Sequence, residues 1–115
     1  MTNASHPVDW EALLESIDGD REFAGELADA FIGSSDRELA VIAGALDRGD
    51  AAVLRESAHA LKGASANMRA AAASAAAAQL ESAAGSGQRA EFPALAEKLS
   101  TEVKRTIEYL RSNIR

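Results

Sequence analysis

Apolar side chains recur along this chain at three- and four-residue steps. Leu54, Ser57, Leu61, Ala64 and Met68 keep that spacing, which stacks them on one face of a helix turning about 100° per residue. The same period runs through Trp10, Leu13, Leu14 and Ile17, then Phe23, Leu27, Ala30 and Phe31, then Leu39, Ile42, Ala43 and Leu46. Phe92, Leu95, Leu99, Val103, Thr106, Leu110 and Ile114 follow a seven-residue rhythm. That rhythm suits a coiled-coil strand or one strand of an intramolecular bundle. The preceding helices each need a partner for their own stripes, which favours the bundle. No stretch alternates with the two-residue period of a strand.

Start and stop signals divide the pattern. Asp9 caps a short helix over Trp10 to Asp18, with Gly19 placed to end it in the left-handed conformation. Asp20 caps the next helix. Gly33-Ser34-Ser35-Asp36 is a boundary where the helix either breaks, with Ser34 or Ser35 as the new cap, or bends. Asp47-Arg48-Gly49-Asp50 is a turn, and Asp50 caps the helix after it. That helix is expected to end between Asn67 and Ala70, with Asn67 as its left-handed cap. Ten of residues 70–84 are alanine, the best helix former. Leu80 is their one large apolar side chain, so this helix should be buried against larger neighbours. Gly85-Ser86-Gly87 is a flexible turn, and the last helix starts around Ala90, with Pro93 in its first turn. Short connections make neighbouring helices antiparallel. The expected fold is all-α, an up-down-up-down antiparallel four-helix bundle with a short N-terminal helix pair. Residues 1–8 are expected to be a flexible N-terminal segment in which His6 has no packed role, and residues 9–115 the bundle domain.

Composition narrows the functional classes. A chain of 115 residues suits one domain, and 47 % hydrophobic content is enough for one core. The net charge of −6 argues against a partner bound through a phosphate backbone, such as nucleic acid. No cysteine is present, which excludes disulfides and thiolate chemistry. No apolar run approaches the roughly 20 residues needed to span a membrane. The N-terminus lacks the basic and apolar regions of a signal peptide. The expectation is a cytoplasmic monomer with no membrane or nucleic-acid partner.

One helix face carries candidate chemistry. His59 points away from the apolar stripe of its own helix. Around it, at i−4, i+3, i+4 and i+7, stand Arg55, Lys62, Gly63 and Ala66. A lone histidine on a polar face is ordinarily just solvated. Gly63 is harder to dismiss, because a mid-helix glycine costs about 1 kcal/mol relative to alanine and this chain uses alanine freely nearby. Bare backbone beside an imidazole lets another macromolecule approach closely.

The run His59-Ala60-Leu61-Lys62-Gly63-Ala64-Ser65-Ala66-Asn67 resembles the signature of histidine-containing phosphotransfer (HPt) domains, whose core reads His-x-Leu-Lys-Gly, often followed by Ser and Asn. The flanks match over nearly the whole chain, and HPt domains share the bundle architecture. Many of them have a glycine where this chain has Arg69. The resemblance implies a phosphorelay intermediate. His59 would attack an aspartyl phosphate on a response-regulator receiver domain through Nε2, and would later return the phosphoryl group to a second receiver. A hybrid histidine kinase would stand upstream. By the same resemblance, Lys62 faces the phosphoryl oxygens, Gly63 is the gap for the receiver, and Ser65 and Asn67 complete the signature. Glu81 falls where the family often has Gln or a similar polar residue, and is a candidate to orient the imidazole through Nδ1–H. Glu56, at i−3, competes for that role. Arg55 is either a solvated charge or a partner contact.

The chain has no glycine-rich phosphate loop and no acidic metal cluster at useful spacing. It therefore reads as a phosphocarrier, not an enzyme, with no cofactor of its own and magnesium supplied by the receiver. One alternative is a structural or adaptor bundle that binds receivers while His59 is incidental. A histidine kinase's dimerisation helix usually has an acidic residue after its phosphoacceptor and a proline shortly beyond; Ala60 and the lack of proline argue against it. A di-iron carboxylate bundle needs repeated inward Glu-x-x-His pairs, whereas Glu56 and His59 face outward and stand alone.

Overall fold

The computed structural model describes residues 6–113, in which three aspartates set where helices begin. Asp9, Asp20 and Asp50 each accept a hydrogen bond from the backbone N–H three residues on, at Ala12, Phe23 and Val53 (3.1, 3.0 and 3.2 Å). They open α1 (Trp10–Ser16), α2 (Arg21–Arg48) and α3 (Ala51–Asn67). α4 (Ala71–Gly85) has no side-chain cap. Its first turn is tied to α3 by Ser74, whose hydroxyl donates to the Lys62 carbonyl at 3.2 Å. A 3-10 turn (Arg89–Glu91) leads into α5 (Phe92–Asn113), with Pro93 in the first turn, where its missing donor has no partner to lose. The described residues are all-helical, with no strand.

Three boundaries differ from expectation. α1 stops at Ser16 because the chain already turns left-handed at Asp18 (φ 57), before Gly19 (φ 74). Of the two alternatives at Gly33-Ser34-Ser35-Asp36, the break does not occur: α2 runs unbroken for 28 residues. The N-terminal helix pair is therefore one short helix, α1, with its second member merged into α2. Ser35 is fully buried between the buried Phe31 and Ile42, so packing spans the weak Gly33-Ser34 step and outweighs its propensity. The apolar face of α2 is also rotated from the expected stripe: Ala24 and Ala28 point inward, while Phe23 is 43 % exposed. Finally, Asn67 stays helical and is not the left-handed cap. Arg69 takes that conformation (φ 58), and the Ala70 N–H closes the turn on the Ser65 carbonyl at 2.8 Å.

α3 packs against α2 on one side and α4 on the other; α4 packs against α5, and α5 returns to α2. Leu54 and Leu61 of α3, Leu80 of α4, and Leu99 and Leu110 of α5 are all fully buried. Apart from Leu80, α4 buries only alanines, among them Ala73, Ala76, Ala77 and Ala83. Small side chains let its backbone lie close to α3. The stripe of α5 is buried within the chain at Phe92, Leu99, Val103, Thr106 and Leu110, as an intramolecular strand requires; Ile114 lies outside the described residues. So do residues 1–5. Val8 is fully buried and the exposed His6 ring lies 5.7 Å from that of Tyr109, so packing begins ahead of Asp9. No described helix is long and apolar enough to cross a membrane.

The left-handed turn at Arg69 gives a direct test. A residue with a Cβ is disfavoured there, whereas glycine is not. Arg69→Gly should stabilise the protein by up to about 1 kcal/mol in urea denaturation. A clear loss would show that the arginine side chain contributes more than its backbone conformation costs.

Candidate functional site

Burial of Leu54 and Leu61 on the inner face of α3 turns His59 outward, with its side chain 68 % exposed. On α4, burial of Leu80 brings the next residue, Glu81, to the seam with α3, where its side chain is 19 % exposed. There the Glu81 carboxylate uses both oxygens. Oε2 lies 2.8 Å from His59 Nδ1, and Oε1 lies 2.8 Å from Lys62 Nζ. These contacts hold the Glu81 carboxyl below the usual carboxylate range, the Lys62 hydrogen bond most and the His59 hydrogen bond next. An ionised carboxylate only accepts hydrogen bonds. Assigned from that partner, the proton sits on His59 Nδ1, and in the neutral ring the lone pair lies on Nε2. The nitrogen that carries the lone pair is thereby fixed in identity by its opposite edge.

Of the two acids considered for Nδ1, Glu81 makes the bond. Glu56 and Arg55 stand beside it, lining with Ala52, His59 and Glu81 a shallow groove along the α3–α4 seam. Arg55 lies across that seam: a Cβ added at Gly85 would come within 3.6 Å of its Nε. A Cβ added at Gly63 would meet nothing within 4 Å, so no packing inside this chain requires its smallness.

The structure thus gathers His59, Lys62, Glu81, Glu56 and Arg55 around one seam, with Gly63 bare beside them. It does not bring Ser65 or Asn67 to that face. Ser65 is fully buried, and the exposed Asn67 borders a different groove with Leu27, Phe31 and Met68. Two features escaped the sequence reading. Lys62 shares its carboxylate with His59, and Gly85, read only as part of a turn, is where Arg55 rests against α4. The i+3 spacing of Lys62 from His59 was the available signal for the first; nothing local signals the second. Among the described residues, no group of three or more His, Asp or Glu side chains could hold a metal ion.

The family model described as Hpt domain matches residues 26–113. Among solved structures, the chain is similar to histidine-containing phosphotransfer protein B (HptB) from Pseudomonas aeruginosa PAO1, at 30 % identity over 92 % of this chain and 93 % of that one, with a TM-score of 0.83. No curated protein matches the sequence.

Open space at Gly63 predicts the sign of a substitution. Gly63→Ala should raise stability by up to about 1 kcal/mol, the difference in helix propensity, as read by thermal unfolding. A lower melting temperature would mean that the bare backbone is used within the fold.

Proposed function

This chain belongs to the Hpt-domain family, and on that premise we propose that His59 accepts a phosphoryl group from an aspartyl phosphate on one receiver domain and passes it to the aspartate of another. Membership makes the protein a histidine phosphotransfer protein of phosphorelays, of a class that carries phosphoryl groups and is not a kinase. The observation that supports the fuller reading is the 2.8 Å contact between His59 Nδ1 and Glu81. It leaves Nε2, the nitrogen with the lone pair, on the ring of a side chain 68 % exposed to solvent.

Phosphoryl transfer depends mainly on in-line positioning and on stabilising charge over the equatorial oxygens. Nε2 attacks phosphorus, and the P–O bond to the aspartyl carboxylate breaks with its electron pair left on that oxygen. Lys62, a point charge on a flexible four-carbon stem one turn along α3, meets the phosphoryl oxygens. Bare backbone at Gly63 gives the receiver's surface room to come close, and Arg55 stands at the rim for contact with it. Rigid support comes from α2 to α5 alternating in direction, as their short connections favour. Magnesium belongs to the receiver in this scheme, and a hybrid histidine kinase feeds the relay. The carrier works as a single-domain cytoplasmic monomer.

Incubation with a phosphorylated receiver tests the assignment. Wild type should acquire an acid-labile, base-stable label, and His59→Gln should acquire none. The variant should stay within about 0.5 kcal/mol of wild-type stability, as expected for a surface change. Label retained on His59→Gln would contradict the assignment and move suspicion to His6. A wild type that binds the receiver but takes no label would instead be an adaptor.

A further inference from the structure

The seam that carries His59 continues past it. Along α3 from His59, Gly63 and Ala66 keep to the same face at three- and four-residue steps, and along α4 the row runs back from Glu81 through Ala78, Ala75 and Ala71. Ala66, Ala71, Ala75 and Ala78 line a groove in this stretch of the seam, and Arg69 stands at its far end, beside Asp9 and Ala12. At helical rise, Arg69 lies about 15 Å along the seam from His59. Resting on the reading of His59 as an acceptor served by receiver domains, we propose that Arg69 is a specificity-determining residue. Its guanidinium selects receivers that present a carboxylate where their surface meets the α1 end of this groove.

Arg69 holds a left-handed backbone conformation (φ 58), in which a Cβ crowds the chain and glycine does not. The turn itself uses only backbone atoms. The Ala70 N–H donates to the Ser65 carbonyl at 2.8 Å, and the Arg69 carbonyl accepts from the Asp9 N–H at 2.9 Å. Glycine would make both bonds without the crowding, so the turn does not call for an arginine. The side chain has no other duty in the fold: it is exposed, and among the described residues its guanidinium enters no ion pair. Asp9, on the same groove, caps α1 through Oδ1. The other two cations of this face have places within the chain. Lys62 is held by Glu81 at 2.8 Å, and Arg55 rests against α4 at Gly85. Arg55, Lys62 and Arg69 follow one another at seven-residue intervals, which makes the seam a cationic strip on a chain of net charge −6. The alanines beside Arg69 let a partner's backbone come close. A carboxylate carried there meets the planar guanidinium in two parallel hydrogen bonds. Such a pair sits at the rim of the docked surface, away from the transferring group, and acts on encounter and choice of partner rather than on the chemical step.

Each receiver domain of the source organism would be titrated by calorimetry against wild type, Arg69→Gly, Arg69→Lys and Arg69→Glu, at low and at high salt. For the receiver that wild type binds most tightly, Arg69→Gly should raise Kd about three- to tenfold at low salt, and Arg69→Glu further. Arg69→Gly should melt no lower than wild type, so the loss is not one of folding. Arg69→Lys should recover part of the affinity. The difference should shrink as salt is added, and in phosphotransfer from that receiver it should appear in KM more than in kcat. The ranking of receivers should change as well, because those without an opposing carboxylate have nothing to lose. Unchanged Kd in the Gly and Glu variants would overturn the proposal, as would an equal loss for every receiver, a loss indifferent to salt, or the absence of any receiver that binds. An Arg69→Gly protein that unfolds more easily would also overturn it, by giving the side chain a place in the fold. Failure of His59 as acceptor shows differently: wild type would bind the receiver and take no label.

Discussion

The two 2.8 Å contacts of the Glu81 carboxylate, one to His59 Nδ1 and one to Lys62 Nζ, set the order of the face on which they lie. His59 is two-thirds exposed, and nothing in the core holds its ring. Without a fixed acceptor on one edge, an exposed imidazole samples rotamers and both neutral tautomers. With the carboxylate there, one nitrogen is committed as donor and the other keeps the lone pair. The same carboxylate draws the Lys62 ammonium to the histidine's side of the helix. A single acidic side chain on α4 thereby organises two residues on α3.

That contact depends on how α3 and α4 approach. Glutamate is short, and it reaches both partners only if its helix lies close. α4 meets this condition by burying alanines along the seam, with Leu80 as its one large anchor beside Glu81. Ser74 adds a hydrogen bond from α4 to the Lys62 carbonyl, so the backbone that carries the cation is itself pinned to the helix that carries the acid. Fold and site share one constraint: the alanine content that lets the bundle pack tightly also sets the reach of the carboxylate.

Much of this was legible in the sequence, for identifiable reasons. The caps at Asp9, Asp20 and Asp50 are local chemistry, in which a side chain meets an N–H three residues away, so inspection finds them. The inward stripe of α3 follows from periodicity, and the outward direction of His59 follows from the stripe. Reading failed where tertiary packing overrode local preference. Gly33-Ser34-Ser35-Asp36 left a break and a bend both open by local preference, yet Ser35 is buried in an unbroken α2. Asn67 is the better left-handed residue by type, but Arg69 takes the turn, because the helix runs to Asn67 and the chain must then meet α1: the Arg69 carbonyl accepts from the Asp9 N–H at 2.9 Å. The choice between Glu56 and Glu81 as partner of His59 was open for the same reason. One lies three residues away on the same helix and the other 22 residues away across a seam, and only the packing decides between them.

The central claim is that Glu81 reserves Nε2 of His59 as the nucleophile, and the site of the N–P bond tests it most directly. Wild-type protein labelled with ¹⁵N on histidine would be phosphorylated by a phosphorylated receiver, and the ³¹P–¹⁵N coupling recorded. The account predicts coupling to a ring nitrogen of His59 that bears no hydrogen, Nε2, with the proton still on Nδ1. Coupling to Nδ1, or to a nitrogen of His6, would contradict it.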